Sequence, residues 1–135
     1  MNPLEAKRYI ETGREALLEI AHFPKPTVAA LHGYALGGGL ELALATTFRI
    51  ATPTTLLGHP AIQIGVFPGY VGFYFLGRTV KFGILKKLIL LGPRIPAQEA
   101  FRFGIVQELV DRQEDLLSRA ILRARMLRKP LIHGS

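Results

Sequence analysis

The feature that most constrains the fold is a run of three glycines, Gly37 to Gly39, between two apolar segments. Before it, "TVAAL" at 27–31 has the length and flanks of a buried strand. After it, "LELALA" at 40–45 predicts a buried helix that begins at or just after Gly38. Glycine at such a junction lets a ligand, or simply a neighbouring strand or helix, approach the backbone closely.

The rest of the chain alternates between helix-like and strand-like segments. Helical spacing of apolar residues marks the helices, and short β-branched or apolar runs mark the strands. The alternation predicts an α/β protein. The predicted helices are 3–21, 78–92, 96–104 and 112–130, and the further predicted strands are 48–52, 54–58 and 105–110.

Apolar stripes on the first and last helices predict which of their faces are buried. Each stripe repeats at helical spacing, with charged residues on the other faces. The stripes are Ile10, Gly13, Leu17, Ile20 and Ala21 in the first helix, and Leu117, Ile121, Ala124 and Leu127 in the last.

The composition excludes several classes of protein. The 135 residues suffice for one domain, and 49% of them are apolar, which is not a disordered composition. The absence of cysteine excludes disulfides and thiolate metal sites, and the four histidines lack ligand spacing, so no metal site is expected. The N-terminal residues mix acids and bases, and no apolar stretch reaches about 18 residues. We therefore expect a cytoplasmic protein with neither a signal peptide nor a membrane span.

The net charge of +7 is concentrated in the second half of the chain. Such a balance favours polyanionic partners, and the alternative is a solvated helix face with salt bridges. No zinc-finger spacing or aromatic pattern of an RNA-binding module is present, so nucleic acid is not the expected partner. The densest group of bases, with no acid among them, is Arg119, Arg123, Arg125, Arg128 and Lys129.

Glu41 is the only acidic residue between Ile20 and Gln98. A catalytic triad or a pair of catalytic carboxylates therefore lacks its parts in the central region. In the first turn of the predicted helix, Glu41 has two interpretations. It bonds to its own helix amides, or it lies in a dry cleft where burial raises its pKa and suits it to acid–base work. In the second case the glycine amides are donors for a developing negative charge.

Three ordered segments carry a resemblance to a known family. They contain a G-x-A-x-GGG-x-E-L turn and helix, a P-x4-G-x2-P-G-x2-G block and a later glycine-terminated helix. With these motifs the chain resembles the enoyl-CoA hydratase/isomerase (crotonase) family over about residues 5–128. The segments are "PKPTVAALHGYALGGGLELALA", "HPAIQIGVFPGYVG" and "LGRTVKFGILKKLILLGPRIPAQEAFRFGIVQELV".

The resemblance implies a crotonase-like fold, an α/β spiral of β-β-α units that is incomplete at both ends of this chain. It implies a partial core over 1–110 and the start of a C-terminal helical region, used for oligomerisation, over 111–135. It also implies homotrimers or hexamers. The expected ligand is an acyl-CoA thioester, with coenzyme A as part of the substrate and no separate cofactor.

The resemblance also implies roles for particular residues. The amide of Gly38 corresponds to one of two donors that hold the thioester oxygen and stabilise an enolate. Glu41 corresponds to one of two catalytic glutamates. The expected substrate-binding residues are Ala35, Leu36, Gly37, His59, Ala61, Pro68, Gly69 and Tyr70.

The first departure from the family pattern is the absence of two acids, and it leaves the reaction open. Ala61 stands where hydratases have the second glutamate, and Gly69 where some isomerase relatives have an acid. His59 and Tyr70 either replace the missing acid or only pack around the acyl pocket. The resemblance implies enoyl-CoA hydratase or isomerase chemistry with Glu41 as the acid/base. The alternatives are a lyase, decarboxylase or hydrolase of the family, or a non-catalytic subunit that binds acyl-CoA or a catalytic relative.

The second departure is that family members are longer than this chain. The segment that provides their other oxyanion amide has no counterpart here. We therefore expect a fragment, a truncated gene product or one part of a split protein.

Overall fold

A computed structural model describes residues 2–60 and 72–128 of the chain. Helices and short strands alternate along the described residues, and a 3-10 turn, Gln113–Asp115, precedes the last helix. The helices are α1 (Pro3–Ala21), α2 (Gly38–Leu44), α3 (Gly72–Thr79), α4 (Phe82–Leu91), α5 (Ala97–Arg102) and α6 (Leu116–Met126). The strands are β1 (Val28–Leu31), β2 (Tyr34–Leu36), β3 (Phe48–Ala51), β4 (Leu56–Gly58), β5 (Ile95–Pro96) and β6 (Glu108–Leu109).

The strands form two three-stranded sheets. The first has the order β1-β3-β6 with parallel pairs, and Val28 lies opposite Phe48. The second has the order β2-β4-β5, in which β2 and β4 are parallel and β5 is antiparallel to β4. Two strands of the first sheet are each followed by a strand of the second and then by the next described helix, giving β1-β2-α2 and β3-β4-α3. The predicted spiral of β-β-α units is therefore present.

The main core lies between the second sheet and the helices around it. Leu40 and Leu44 of α2 pack there with Leu57 of β4 and Leu76 of α3, all at most 5% exposed. A smaller cluster joins the first sheet to α6 through Ile50, Val110, Leu116 and Ala120. The helix that carries Glu41 is thus held by apolar contacts on its inner face.

The structure corrects the predicted buried face of the last helix. Leu116 and Ala120 are its buried residues, whereas Leu117 is 68% and Ile121 46% exposed. Leu116 and Ala120 belong to the neighbouring i, i+4 row, which faces the first sheet, so the predicted stripe was wrong. In α1 the stripe is only partly right, because Leu17 is buried but Ile10 is 48% exposed.

Three predicted boundaries also change. The helix predicted over 78–92 is interrupted between Thr79 and Phe82, giving α3 and α4. The strand predicted over 105–110 is reduced to β6. Strand β2 follows directly on Gly33 and was not predicted.

Candidate active site

The turn before α2 brings the glycine run to the edge of the second sheet. Gly37 has φ +54°, a left-handed conformation that favours glycine. Its N–H donates to the carbonyl of Gly58 at 2.9 Å, at the end of β4. Leu36 and Gly58 are register partners in the parallel β2–β4 pair. The turn is therefore fixed to the carboxyl end of the neighbouring strand.

The first turn of α2 presents backbone N–H groups at this edge. The first hydrogen bond of the helix runs from the N–H of Glu41 to the carbonyl of Gly37, at 3.0 Å. In an α-helix the N–H groups before such a bond, here those of Gly38, Gly39 and Leu40, have no acceptor within the helix. Gly38 and Gly39 are exposed, and a Cβ at Gly39 would meet no described atom within 4 Å. A ligand oxygen can therefore approach the backbone of these glycines.

Glu41 is buried in the first turn of the same helix. Its side chain is 1% exposed, and burial raises its pKa from the usual 4.5 to about 7. Among the described residues its Oε2 atom has no hydrogen-bond partner. The interpretation in which this carboxyl group bonds to its own helix amides is therefore not what the structure shows. It is a dry carboxyl group that titrates near neutral pH.

His59 directly follows β4 and is equally buried, at 1% exposed. Neither Nδ1 nor Nε2 of its ring has a hydrogen-bond partner among the described residues. Burial lowers its pKa, because an imidazolium loses its hydration there. The ring is therefore neutral at physiological pH, with one nitrogen as a donor and the other as an acceptor.

In the described part of the chain, the buried side-chain polar atoms without a hydrogen-bond partner belong to these two residues alone. They are Oε2 of Glu41 and the two ring nitrogens of His59. A buried polar atom without a partner costs about 1–3 kcal/mol, so proteins rarely keep one without a reason. Both residues follow the carboxyl ends of adjacent parallel strands, and the Gly37–Gly58 hydrogen bond joins their segments. This edge of the second sheet is the candidate active site.

The other predicted site residues fall into two groups. Ala35 is buried in β2 and Leu36 is half-buried at its end, so both lie beside the glycine turn. The remaining four lie outside the described residues, and their roles stay predictions: Ala61, Pro68, Gly69 and Tyr70.

Two supporting residues were missed by the sequence analysis. A Cβ on Gly58 would lie 2.2 Å from the carbonyl oxygen of Pro93, so only glycine fits there. Arg49 is 7% exposed and donates to the carbonyls of Thr46, at 2.8 Å, and Ala43, at the end of α2. A lone arginine within the apolar run 48–52 was the available signal for such a role.

The basic residues of the last helix are partly neutralised. Arg123 Nε lies 2.7 Å from Glu108 Oε1, and Arg119 contacts the other oxygen of the same carboxylate. These contacts lower the pKa of Glu108 below its usual range. For these two arginines the structure favours an ion-paired helix face. A groove between β6 and α6 lies here, lined by residues that include Phe48 and Met126 but neither Glu41 nor His59.

The family model described as enoyl-CoA hydratase/isomerase matches residues 2–134 of the chain. This chain belongs to the enoyl-CoA hydratase/isomerase family. The family predicted from the motifs is thereby confirmed.

Similar proteins support the same assignment. A short-chain-enoyl-CoA hydratase of Clostridium acetobutylicum is 36% identical over 114 residues, which cover 84% of this chain and 44% of that protein. A crotonyl-CoA hydratase of Syntrophomonas wolfei is 36% identical over 129 residues, covering 96% and 50%. The crystal structure of an enoyl-CoA hydratase from Bacillus anthracis superimposes with a TM-score of 0.88 at 36% identity, covering 93% and 48%. The crotonase-like fold is therefore also confirmed, and the chain spans about half the length of these relatives.

No helix within residues 2–60 and 72–128 is long and apolar enough to cross a bilayer. In the same residues, no three His, Asp or Glu side chains come together in a way that would hold a metal ion.

Proposed function

We propose that the chain acts on acyl-CoA thioesters through an enolate, with Glu41 as the acid/base and the Gly38 amide as an oxyanion donor. The observation that carries the proposal is the buried carboxyl group of Glu41, which has no described partner at Oε2 and lies three residues after an exposed glycine. The substrate class is supported by the relatives, whose names are those of enoyl-CoA and crotonyl-CoA hydratases.

The backbone at Gly38 suits the oxygen of a thioester. When the bond order at the acyl Cα changes, electrons move onto the carbonyl oxygen and form an enolate. A fixed N–H directed at that oxygen stabilises the charge without reorganisation, and one such donor contributes about 10²–10³ in kcat. Gly38 is exposed and carries no side chain, which gives the thioester room to reach this amide.

Glu41 suits the accompanying proton transfer. A group transfers protons best when its pKa is close to the working pH. With a pKa raised to about 7, Glu41 populates both its acid and its base form near neutral pH. It can therefore deliver a proton to Cα or remove one, depending on the direction of the reaction.

The test is hydration of crotonyl-CoA by the wild type and by Glu41→Gln. We expect the variant to lose about 10²–10⁴ in kcat, the usual contribution of a general acid or base. Glu99→Gln is the matched control, because Glu99 also lies in the first turn of a short helix, α5, but pairs with Lys87 at 3.7 Å. It should keep the wild-type rate.

Each other result decides against part of the proposal. Equal rates for wild type and Glu41→Gln would exclude Glu41 as the acid/base. Saturable thioester binding without turnover would instead favour the non-catalytic acyl-CoA-binding subunit, for which Ala61 at the second glutamate position is the reason. Turnover of other acyl-CoA thioesters but not of crotonyl-CoA would favour a lyase, decarboxylase or hydrolase. Absence of both binding and turnover would refute the proposed function.

The amide at Gly38 can be removed by proline, which lacks the N–H. Gly38 is the first residue of α2, a position where proline fits well in helices. We expect Gly38→Pro to lower kcat by about 10²–10³. Gly39→Ala is the control, since its Cβ meets no described atom within 4 Å and its N–H remains. Full activity of Gly38→Pro would show that this amide does not hold the oxyanion.

A further inference from the structure

The buried ring of His59 has no structural role that the described residues explain. Its two nitrogens are enclosed and form no hydrogen bond there, although a neutral imidazole offers one donor and one acceptor. By contrast, the described buried polar side chains other than Glu41 are bonded. Arg49 donates to backbone carbonyls, and Thr52 and Thr55 bond to each other at 2.8 Å. An unpartnered ring in such surroundings points to a ligand or a reacting water as its partner.

The backbone brings His59 to the glycine turn. Leu36 and Gly58 are register partners, and neighbouring strands lie about 4.8 Å apart. The Gly37 N–H bonds to the carbonyl of Gly58, which is the peptide group joined to His59. His59 is thus one peptide bond away from the atom that fixes the glycine turn. Glu41 lies four residues after Gly37, which is the donor of the same hydrogen bond.

Addition of water across the double bond of an enoyl thioester moves two protons. One proton leaves the water, and one arrives at Cα. Glu41 is the only acid between Ile20 and Gln98, so a second carboxylate from this region is not available. His59 is the other buried titratable group described at this edge of the sheet.

We propose that His59 is a second catalytic residue, which accepts a proton from the water that adds to the enoyl thioester. The inference rests on the proposed function. The water oxygen forms a bond to Cβ while one of its O–H bonds breaks, and that proton passes to the free ring nitrogen. The electrons of the double bond move to the thioester oxygen as the enolate forms. The enolate then takes a proton from the carboxyl group of Glu41 at Cα, and the imidazolium returns its proton to the carboxylate through water.

The protonation states match these roles. A proton acceptor must start neutral, and burial lowers the pKa of His59. The proton donor must start protonated, and burial raises the pKa of Glu41 to about 7. Burial at this edge of the sheet thus favours a neutral acid at Glu41 and a neutral base at His59.

The experiment compares His59→Gln and His59→Phe with the wild type. Glutamine keeps a donor and an acceptor but cannot take up a proton, and phenylalanine removes both. We expect both variants to lose about 10²–10⁴ in kcat for crotonyl-CoA. Their Kd for butyryl-CoA, which has no double bond to hydrate, should stay within about threefold of the wild type, because His59 acts on the water. His32→Gln is the control, since His32 is exposed between β1 and β2 and should keep full activity.

A double variant tests whether the two residues act together. Residues that act as a unit are strongly non-additive, and in the proposed cycle His59 returns its proton to Glu41, so Glu41→Gln/His59→Gln should be little slower than the worse single variant. Losses that multiply in full would place His59 outside the reaction. Retention of wild-type kcat by either His59 variant would overturn the proposal. Activity kept by glutamine but not by phenylalanine would also overturn it, since hydrogen bonding alone would then suffice.

Two results separate this inference from the proposed function. If the wild type hydrates crotonyl-CoA and Glu41→Gln does not, while His59→Gln does, the proposed function stands and the role of His59 is wrong. If the wild type neither binds nor hydrates the thioester, the proposed function itself fails. Should the variants unfold, the ring proton resonances of His59 in the wild type give the answer. They must shift when butyryl-CoA saturates the protein, and unmoved resonances would refute the proposal.

Discussion

Replacement of Glu41 by glutamine should make the protein more stable at neutral pH. The carboxyl group is buried, and its pKa is about 7 in the folded chain against the usual 4.5. Because one pKa unit corresponds to about 1.4 kcal/mol, ionising Glu41 in the fold costs about 3 kcal/mol. Glutamine is neutral at every pH and avoids this cost. The residue proposed as the acid/base therefore lowers the free energy of unfolding.

The sign of the effect depends on pH in a defined way. Between pH 4.5 and about 7 the folded chain holds a proton at Glu41 that the unfolded chain has released, so wild-type stability falls as pH rises. Urea unfolding of wild type and Glu41→Gln is measured at pH 4.5, 5.5, 6.5 and 8. We expect a difference near zero at the lowest pH that grows to about 3 kcal/mol in favour of the variant at the highest. The contribution of His59 is shared by both proteins and cancels.

Glu99→Gln is again the control, since Glu99 is only partly buried and pairs with Lys87. Its difference from the wild type should not follow this curve. A Glu41→Gln variant that is less stable than the wild type at pH 8, or a difference that does not change with pH, would refute the reasoning. Either result would mean that the carboxylate is solvated or paired.

Three further predictions concern residues that support the site. Gly58→Ala places a Cβ 2.2 Å from the Pro93 carbonyl oxygen, so we expect a loss of about 1–3 kcal/mol in urea unfolding, whereas an unchanged midpoint would contradict the close packing. Arg49→Met leaves buried carbonyls without a donor and should lower stability by about 1–3 kcal/mol, with reduced crotonyl-CoA turnover, and a fully active, stable variant would argue against its support of α2. Glu108→Gln should cost about 1–3 kcal/mol at pH 7, because the depressed pKa of Glu108 stabilises the fold above pH 4.5. That cost should vanish as the pH falls well below 4.5, and persistence at low pH would exclude the ion pairs as its cause.

The sequence predicted the elements whose signals are local. The first helix has Asn2 as its N-cap and Glu5 completing a capping box, and the structure begins α1 at Pro3. The predicted start of α2 at or just after Gly38 is confirmed, because the helix spans Gly38–Leu44. The same run predicted a buried helix but left two interpretations of Glu41 open, and the structure shows the carboxyl group buried.

Features that depend on distant partners were not predicted. Strand β2 has only three residues and exists because it pairs with β4, 22 positions along the chain at Tyr34 and Leu56. The role of Gly58 depends on Pro93, and no local pattern joins these two positions. The partners of Arg119 and Arg123 are likewise on another element, at Glu108.

The orientation of α6 shows a different limit. Periodicity identified an amphipathic helix but selected Leu117 and Ile121, whereas Leu116 and Ala120 are buried. Two apolar rows one residue apart overlap on such a helix, and the choice between them depends on the sheet it packs against. The family motifs singled out Glu41 and Gly38, whose roles stay predictions, but no motif indicated that both nitrogens of His59 would be enclosed without partners.

Helix α2 has seven residues, too few to persist alone in water. At one end the Gly37 N–H bonds to the carbonyl of Gly58, and at the other the guanidinium of Arg49 donates to the carbonyl of Ala43. The position of α2 therefore depends on β3 and β4, which are consecutive strands. A random screen for inactive variants should accordingly recover substitutions in these strands, at positions that do not contact the proposed thioester. It should also recover substitutions of the proposed reacting groups.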